Sequence, residues 1–273
     1  MDDLDGPAVF RAHAAEGVLL LGGGAAILLQ LADPRVAHGV SRHSDFAARP
    51  FDRLFGTLDY VYAVGFGDDE IAAEAVRRVN ARHAPVRGTA EAAAGTAVEY
   101  SAFDADAQRG VASTLLAVGI GVHEKVWGPL DEARADAIVR GYAPLGFSLQ
   151  STRRGWPATR VEFDAWWNDR LATLHVGEEA RSVARTLFSA SAALPPGAAL
   201  LLPALRLMTA ALLPPAVRDA YGFRWTPRTA RVAGAWLVAV AMIWPRLPRA
   251  VRDAPMRHSL RRARRRYAEQ RGR

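Results

Sequence analysis

The sequence predicts an all-α protein: a single globular helical domain over residues 1–256, followed by a basic C-terminal tail over 257–273. Three observations carry this. Half of the 273 residues are apolar, and alanine, leucine and arginine dominate, a composition suited to packed helices. No convincing run of alternating apolar and polar residues marks a set of strands. No internal repeat or sharp shift of composition marks a linker, and the length suffices for a full core.

The helices follow in order. Gly17–Leu31 reads as one buried helix ending before Pro34, because the residue preceding a proline is biased out of the helical region. Gly22, Gly23 and Gly24 lack a Walker lysine and GxGxxG spacing, so close helix packing is their reading. His38 and His43 fall on different faces of the next segment and make a poor chelating pair. A helix from Asp45 or Ala48 to Tyr62 carries Phe51, Leu54, Phe55, Leu58 and Val61 as an apolar stripe. Asp68 or Asp69 caps the following helix, which runs to about Ala84 and places His83 one turn after Val79 on the same face. Pro85 ends or kinks it beside that histidine.

Gly88–Asp104 suits a loop or small hairpin. Ala105–Val126, Asp131–Tyr142 and Arg160–Leu174 read as helices, with Phe163, Trp166 and Trp167 in the core. Two apolar helices, Ala198–Leu213 and Thr229–Trp244, follow. None of the apolar stretches reaches the ~20 uninterrupted residues of a spanning helix. Met1, Asp2 and Asp3 have the wrong charge for the start of a signal peptide, so a cytoplasmic protein, peripheral to a membrane at most, is expected.

The net charge of +7 is concentrated at one end. Residues 257–273 hold eight arginines and one glutamate, which leaves the body near neutral. Such a tail suits weak contact with anionic lipid or nucleic acid, or a solvated terminal helix. It is expected to pack only lightly on the body. The absence of cysteine excludes disulfides, Cys-ligated zinc, iron–sulfur clusters and a cysteine nucleophile.

HExxH, Glu-x-x-His and GxSxG are all absent, which argues against zincins, ferritin-like di-iron sites and α/β-hydrolase chemistry. What remains is His83 on an apolar face among arginines. A lone histidine so placed is ordinarily a hydrogen-bonded core residue; its sharper reading is an axial ligand of haem iron. Arg53 and Thr57 share one helical face four residues apart. They read either as an ion-paired arginine with a threonine bonded to its own helix, or as a cation and a hydroxyl facing a cofactor.

Several runs carry a family likeness: LLLGGGAAILLQLADPRVAHGVSRHSDF, RLFGTLDYVYAVGFGD, VRRVNARHAPVRG, YSAFD, EKVWGPL, LLPPAVRDAYGFRW and PRLPRAVRDAPMRHSLRRARRR. In order and spacing they resemble the MpaB/rubber-oxygenase family, which includes the latex-clearing proteins. The resemblance implies globin-like helical packing around a buried b-type haem that activates dioxygen. In the context NARHAPVRG it implies His83 as the iron ligand, with Arg87 among the cofactor-binding residues. It also matches Arg53 and Thr57 to a functionally important arginine–threonine pair. The chain departs from the family pattern at Asp33, where many members read QLAHP, and at Ala112, where many read WVHATL.

The implied activity is therefore that of a haem b-dependent oxygenase acting with dioxygen on a small or medium apolar substrate, unsaturated or isoprenoid. The alternatives are a helical carrier of the same fold that has lost turnover, and a peripheral membrane protein using the tail and the apolar C-terminal helices.

Overall fold

Asp68, Asp104, Asp131, Thr159 and Thr226 each accept a hydrogen bond from the backbone N–H three residues on, and each opens a helix. A computed structural model describes residues 6–43, 50–91, 97–150, 155–189 and 198–271. Its helices are α1 (Gly6–Ala14), α2 (Gly23–Leu31), α3 (Pro34–His43), α4 (Pro50–Phe66), α5 (Asp69–His83), α6 (Ala105–Trp127) and α7 (Glu132–Phe147). They continue as α8 (Arg160–Thr173), α9 (Glu178–Ser189), α10 (Leu202–Leu212), α11 (Pro215–Ala220), α12 (Pro227–Ile243), α13 (Arg249–Arg252) and α14 (Ala254–Arg271). Short 3₁₀ turns precede α2 and α10 and follow α12.

Helix α6 is the axle. It packs against α2, α7 and α12, and Leu116, Ile120 and Val122 on it are essentially inaccessible to solvent. Leu28 and Leu31 of α2, Ile138 and Val139 of α7 and Phe163 of α8 complete the core. Removing these side chains from water supplies the main favourable term in folding, about 25 cal/mol per Å² of apolar surface. The all-α expectation holds: among the described residues the sheet is one antiparallel hairpin, β1 (Arg87–Glu91) with β2 (Ala97–Ser101), paired Arg87 to Ser101.

Glycines 22 and 24 serve close packing. A Cβ on Gly22 would strike Val118 of α6, and one on Gly24 would strike Thr209 of α10. The single helix expected over Gly17–Leu31 is divided at this point: Gly17–Gly22 is 3₁₀ and α2 begins at Gly23. Helix α7 outruns its expected end at Tyr142 and continues through Pro144 to Phe147, where buried Leu145 holds the last turn in the core. Packing outweighs the local bias before a proline here.

The tail differs most from expectation. The residue-257 boundary falls inside α14, which lies against α4 and α5. Asp59 of α4 accepts from Ser259 Oγ at 2.5 Å and from Arg266 Nη1 at 2.7 Å, and it is also held by Arg262. Glu70 accepts from Tyr267 Oη at 2.5 Å and pairs with Arg271. Arginines counted as solvated charge are thus partly committed to body carboxylates, because Asp59 and Glu70 lie on the two helices that α14 covers.

Among the described residues no single helix is long and apolar enough to cross a membrane. The bent pair Gly6–Ala14 and Gly17–Leu31 passes by length and composition together, but α2 lies within the core.

Candidate active site

Helices α4 and α5 form an antiparallel hairpin joined through Gly67, and the candidate residues lie towards its far end. The two helices touch there: a Cβ on Gly56 would stand 3.0 Å from Arg82 Nη1. Thr57 is half-buried. Arg53 lies one turn earlier on α4, and its side chain falls outside the described residues.

His83 ends α5. Its carbonyl accepts from Val86 N–H at 2.9 Å in the turn that Pro85 imposes. The imidazole is half-buried, its Nδ1 is sealed from solvent, and its ring meets Phe103 edge-on with centroids 6.5 Å apart. Arg87 opens β1 and is exposed, so the structure keeps it close in sequence to His83 without burying it. The hairpin beyond it is anchored by buried Tyr100, whose hydroxyl lies 3.3 Å from His43 Nε2. His38 is buried and stacks on the same tyrosine, while His43 is exposed; the two do not form a chelating pair.

Among the described residues no group of three or more His, Asp or Glu side chains is placed to hold a metal ion. A porphyrin iron needs only one protein ligand. A half-buried imidazole with one nitrogen sealed inside and an aromatic wall beside it suits that role. His83 thus offers the one imidazole donor that such an iron would require, although the described clefts are not lined by it.

A separate cleft of about 240 Å³ opens between α4, α5 and α14. Tyr60, Ile71 and Val79 line it together with Arg78, Arg82 and Arg266. Burial, then the charges of Arg266 and Arg82, push the Arg78 guanidinium below its usual value. His83 and Thr57 do not line this cleft. Arg262 lines it as well, so α14 supplies two of its four arginines from across the chain, a convergence no local pattern announces.

The two departures from the family pattern occupy structural positions. Asp33 is buried and accepts from Arg35 Nη2 at 2.8 Å and Arg170 Nη2 at 2.6 Å, and its Oδ1 accepts from the Arg35 backbone N–H at 2.9 Å. Asp106 joins both arginines, at 2.9 and 3.0 Å. Burial works against the charge on Asp106, but bonds from Arg35 and the charges of Arg170 and Arg35 hold its carboxyl below the usual range. Ala112 is buried on the α7-facing side of α6; a Cβ on Gly146 of α7 would sit 3.8 Å from its own Cβ.

A pair of histidines, His13 buried and His123 half-buried, also escaped the sequence. His13 Nδ1 lies 3.2 Å from His123 Nδ1, beneath Tyr142 and Trp127. Burial, then His123, push His13 down to about 3 from 6.5, so it is neutral in the folded protein. As pH falls below 6.5 the unfolded chain binds a proton that folded His13 refuses, and stability is lost down to about 3. The expected slope is about 1.4 kcal/mol per pH unit per proton. Urea unfolding should show the parent losing roughly 2 kcal/mol between pH 6.5 and pH 5. His13→Gln should flatten this dependence, and an unchanged slope would remove His13 from the account.

The class defined by this geometry is a single helical domain with one half-buried imidazole at the end of a two-helix hairpin. The chain belongs to the family of the ER-bound oxygenase mpaB/B′ and rubber oxygenase catalytic domain, whose model matches residues 10–265. It is 30% identical over 225 residues to uncharacterized proteins of Mycobacterium bovis and Mycobacterium tuberculosis, covering 81% of this chain and 86% of theirs. A solved structure of latex clearing protein in its closed state shares the fold, with a TM-score of 0.53 and 16% identity over 93% of this chain and 72% of that one.

Proposed function

We propose that this protein is a haem b-dependent oxygenase that uses dioxygen on a small or medium apolar substrate, unsaturated or isoprenoid in class. Membership of an oxygenase family supports the reaction type. The observation that carries the cofactor is the half-buried His83, its Nδ1 sealed and its ring against Phe103.

In this reading His83 holds the iron, and the bound haem supplies dioxygen chemistry that side chains alone lack. Phe103, itself exposed, would stand edge-on beside the imidazole. Arg87 would provide a cation for the propionate carboxylates, where guanidinium pairs strongly with a planar anion. Arg53 and Thr57 form the proposed catalytic pair: a cation and a hydroxyl on one face of α4 that stabilise negative charge as it develops on the reacting groups.

The carrier reading drew its weight from the replaced histidines. Both positions have evident structural work here, Asp33 in an ion network and Ala112 in helix packing, which supports keeping the oxygenase reading ahead of the carrier.

Oxygen uptake by haem-loaded protein tests the activity, using a panel of apolar alkenes and isoprenoids. Substrate-dependent uptake that falls on the order of 10²-fold in Thr57→Val and Arg53→Ala, with haem content retained, is the expected outcome. Uptake equal with and without every substrate would leave the oxygenase reading without its reaction.

A further inference from the structure

Helix α12 presents its large apolar residues outwards. Its inward side is Ala233, which is buried, with Val240 and then Trp244 packed on the core; Trp244 Nε1 donates to Glu16 at 2.9 Å and ties down that end. The outward half carries Val232, Ala235, Trp236, Val238, Met242 and Ile243, all exposed. Trp236 is 50% exposed, Met242 56% and Ile243 58%. At 100° per residue these form one continuous face, with no charged residue from Val232 to Ile243. Leu200 and Leu201 stand exposed just before α10, which packs beside α12. A contiguous apolar surface of this kind on a folded domain marks an interaction site.

Its surroundings identify the partner. Arg228 and Arg231 flank the apolar face at one end and Arg246 and Arg249 at the other, all exposed. No acidic residue occurs between Asp219 and Asp253. A second copy of this chain would set arginine against arginine in a parallel or an antiparallel pairing of the two faces, so self-association is opposed by charge. An anionic bilayer accommodates both features: its headgroups take the arginines, while tryptophan and methylene-rich side chains enter the headgroup–acyl boundary.

We propose that α12 is a monotopic docking face for an anionic lipid surface. The protein lies on the membrane through this helix without spanning it. This moves the lipid contact from the arginine tail to α12, because Arg262, Arg266 and Arg271 of the tail already bind Asp59 and Glu70. The face stands independently of the haem assignment, although an oxygenase with an apolar substrate would gain direct access to molecules dissolved in the bilayer.

Vesicle co-sedimentation of the full chain tests this. Protein should pellet with vesicles of phosphatidylcholine and phosphatidylglycerol, and much less with phosphatidylcholine alone. The triple variant Trp236→Ser, Met242→Ser, Ile243→Ser should lower partitioning about tenfold or more, with unchanged helical circular dichroism. Arg228→Gln and Arg231→Gln should each lower it about fivefold, equivalent to about 1 kcal/mol per basic residue. The tail variant Arg261→Gln, Arg264→Gln, Arg265→Gln should bind nearly as the parent does. Absence of parent binding, or equal binding by the triple variant, overturns the proposal. Loss of binding only in the tail variant assigns lipid contact to α14 and overturns it. Concentration-dependent dimers that the triple variant abolishes, without vesicle binding, assign the face to a second copy and overturn it too.

Discussion

Replacing His83 with alanine is expected to abolish haem retention and dioxygen-dependent turnover while leaving the helical fold in place. The separation of the two effects follows from where the residue sits. Helix α5 contributes one fully buried side chain, Ile71, at the end opposite His83. The apolar core is built on α2, α6 and α7, away from the α5 terminus. Truncating a half-buried imidazole there should cost about 1 kcal/mol of stability, within the ordinary range for a substitution outside the core. Losing the proposed iron ligand should instead remove the haem spectrum. Adding free imidazole to His83→Ala should restore part of the absorption band, a rescue that a purely structural role for His83 would not give. Full haem occupancy with an unaltered spectrum in the variant would contradict the assignment.

Asp33→Ala should unfold the protein far more readily and leave any surviving haem spectrum unchanged. Asp33 joins the start of α3 to α8 through Arg170, and Asp106 on α6 shares both of its arginines. Its side chain is only 10% exposed and that of Arg170 15%, so removing the carboxylate strands charge in a poorly solvated place. Breaking a buried pair by deleting one partner costs about 3–5 kcal/mol. For a chain of this size that is about 6–20 °C in Tm, at roughly 2–4 °C per kcal/mol. The substitution also removes the acceptor for the Arg35 N–H, a capping loss of about 1 kcal/mol that forms part of the total. Asp33→Asn should fall between, since it retains an acceptor and loses the charge. Thermal unfolding of the three proteins measures this, and a parent-like Asp33→Ala would show that Asp106 alone satisfies both arginines.

Much of the architecture was legible because local signals agreed with packing. Asp68 caps α5 as its position before Asp69-Glu70 indicates, and the apolar stripes of α6 and α8 face the core. Gly22 and Gly24 read correctly as a close approach, since no phosphate-binding pattern accompanied them. Elements stabilised mainly by distant partners were harder to read. The continuation of α7 past Pro144 depends on buried Leu145, and the docking of α14 depends on Asp59, roughly 200 residues earlier in sequence. Separation hid the His13–His123 pair as well, because neither residue has a local pattern to announce it.

The candidate site was legible to a lesser degree. His83 stood out by its face and its neighbours, and the structure places it half-buried at the α5 terminus. Thr57 is half-buried on α4, and the Arg53 side chain lies outside the described residues. Asp33 read as a missing histidine, yet its chemistry is that of a network carboxylate, visible only once Arg170 is brought to it. The segment that forms α12 read only as an apolar helix, one of those that could meet a membrane, because hydrophobicity alone does not say which side meets the core.

The most direct test of the account is haem stoichiometry and absorption of the purified full chain, titrated with haemin beside His83→Ala. The account predicts saturation near one haem per parent chain, a Soret band that shifts on reduction and again on exposure to dioxygen, and neither behaviour in the variant. A parent protein that takes up no haem, or one that takes it up equally in both forms, would contradict it.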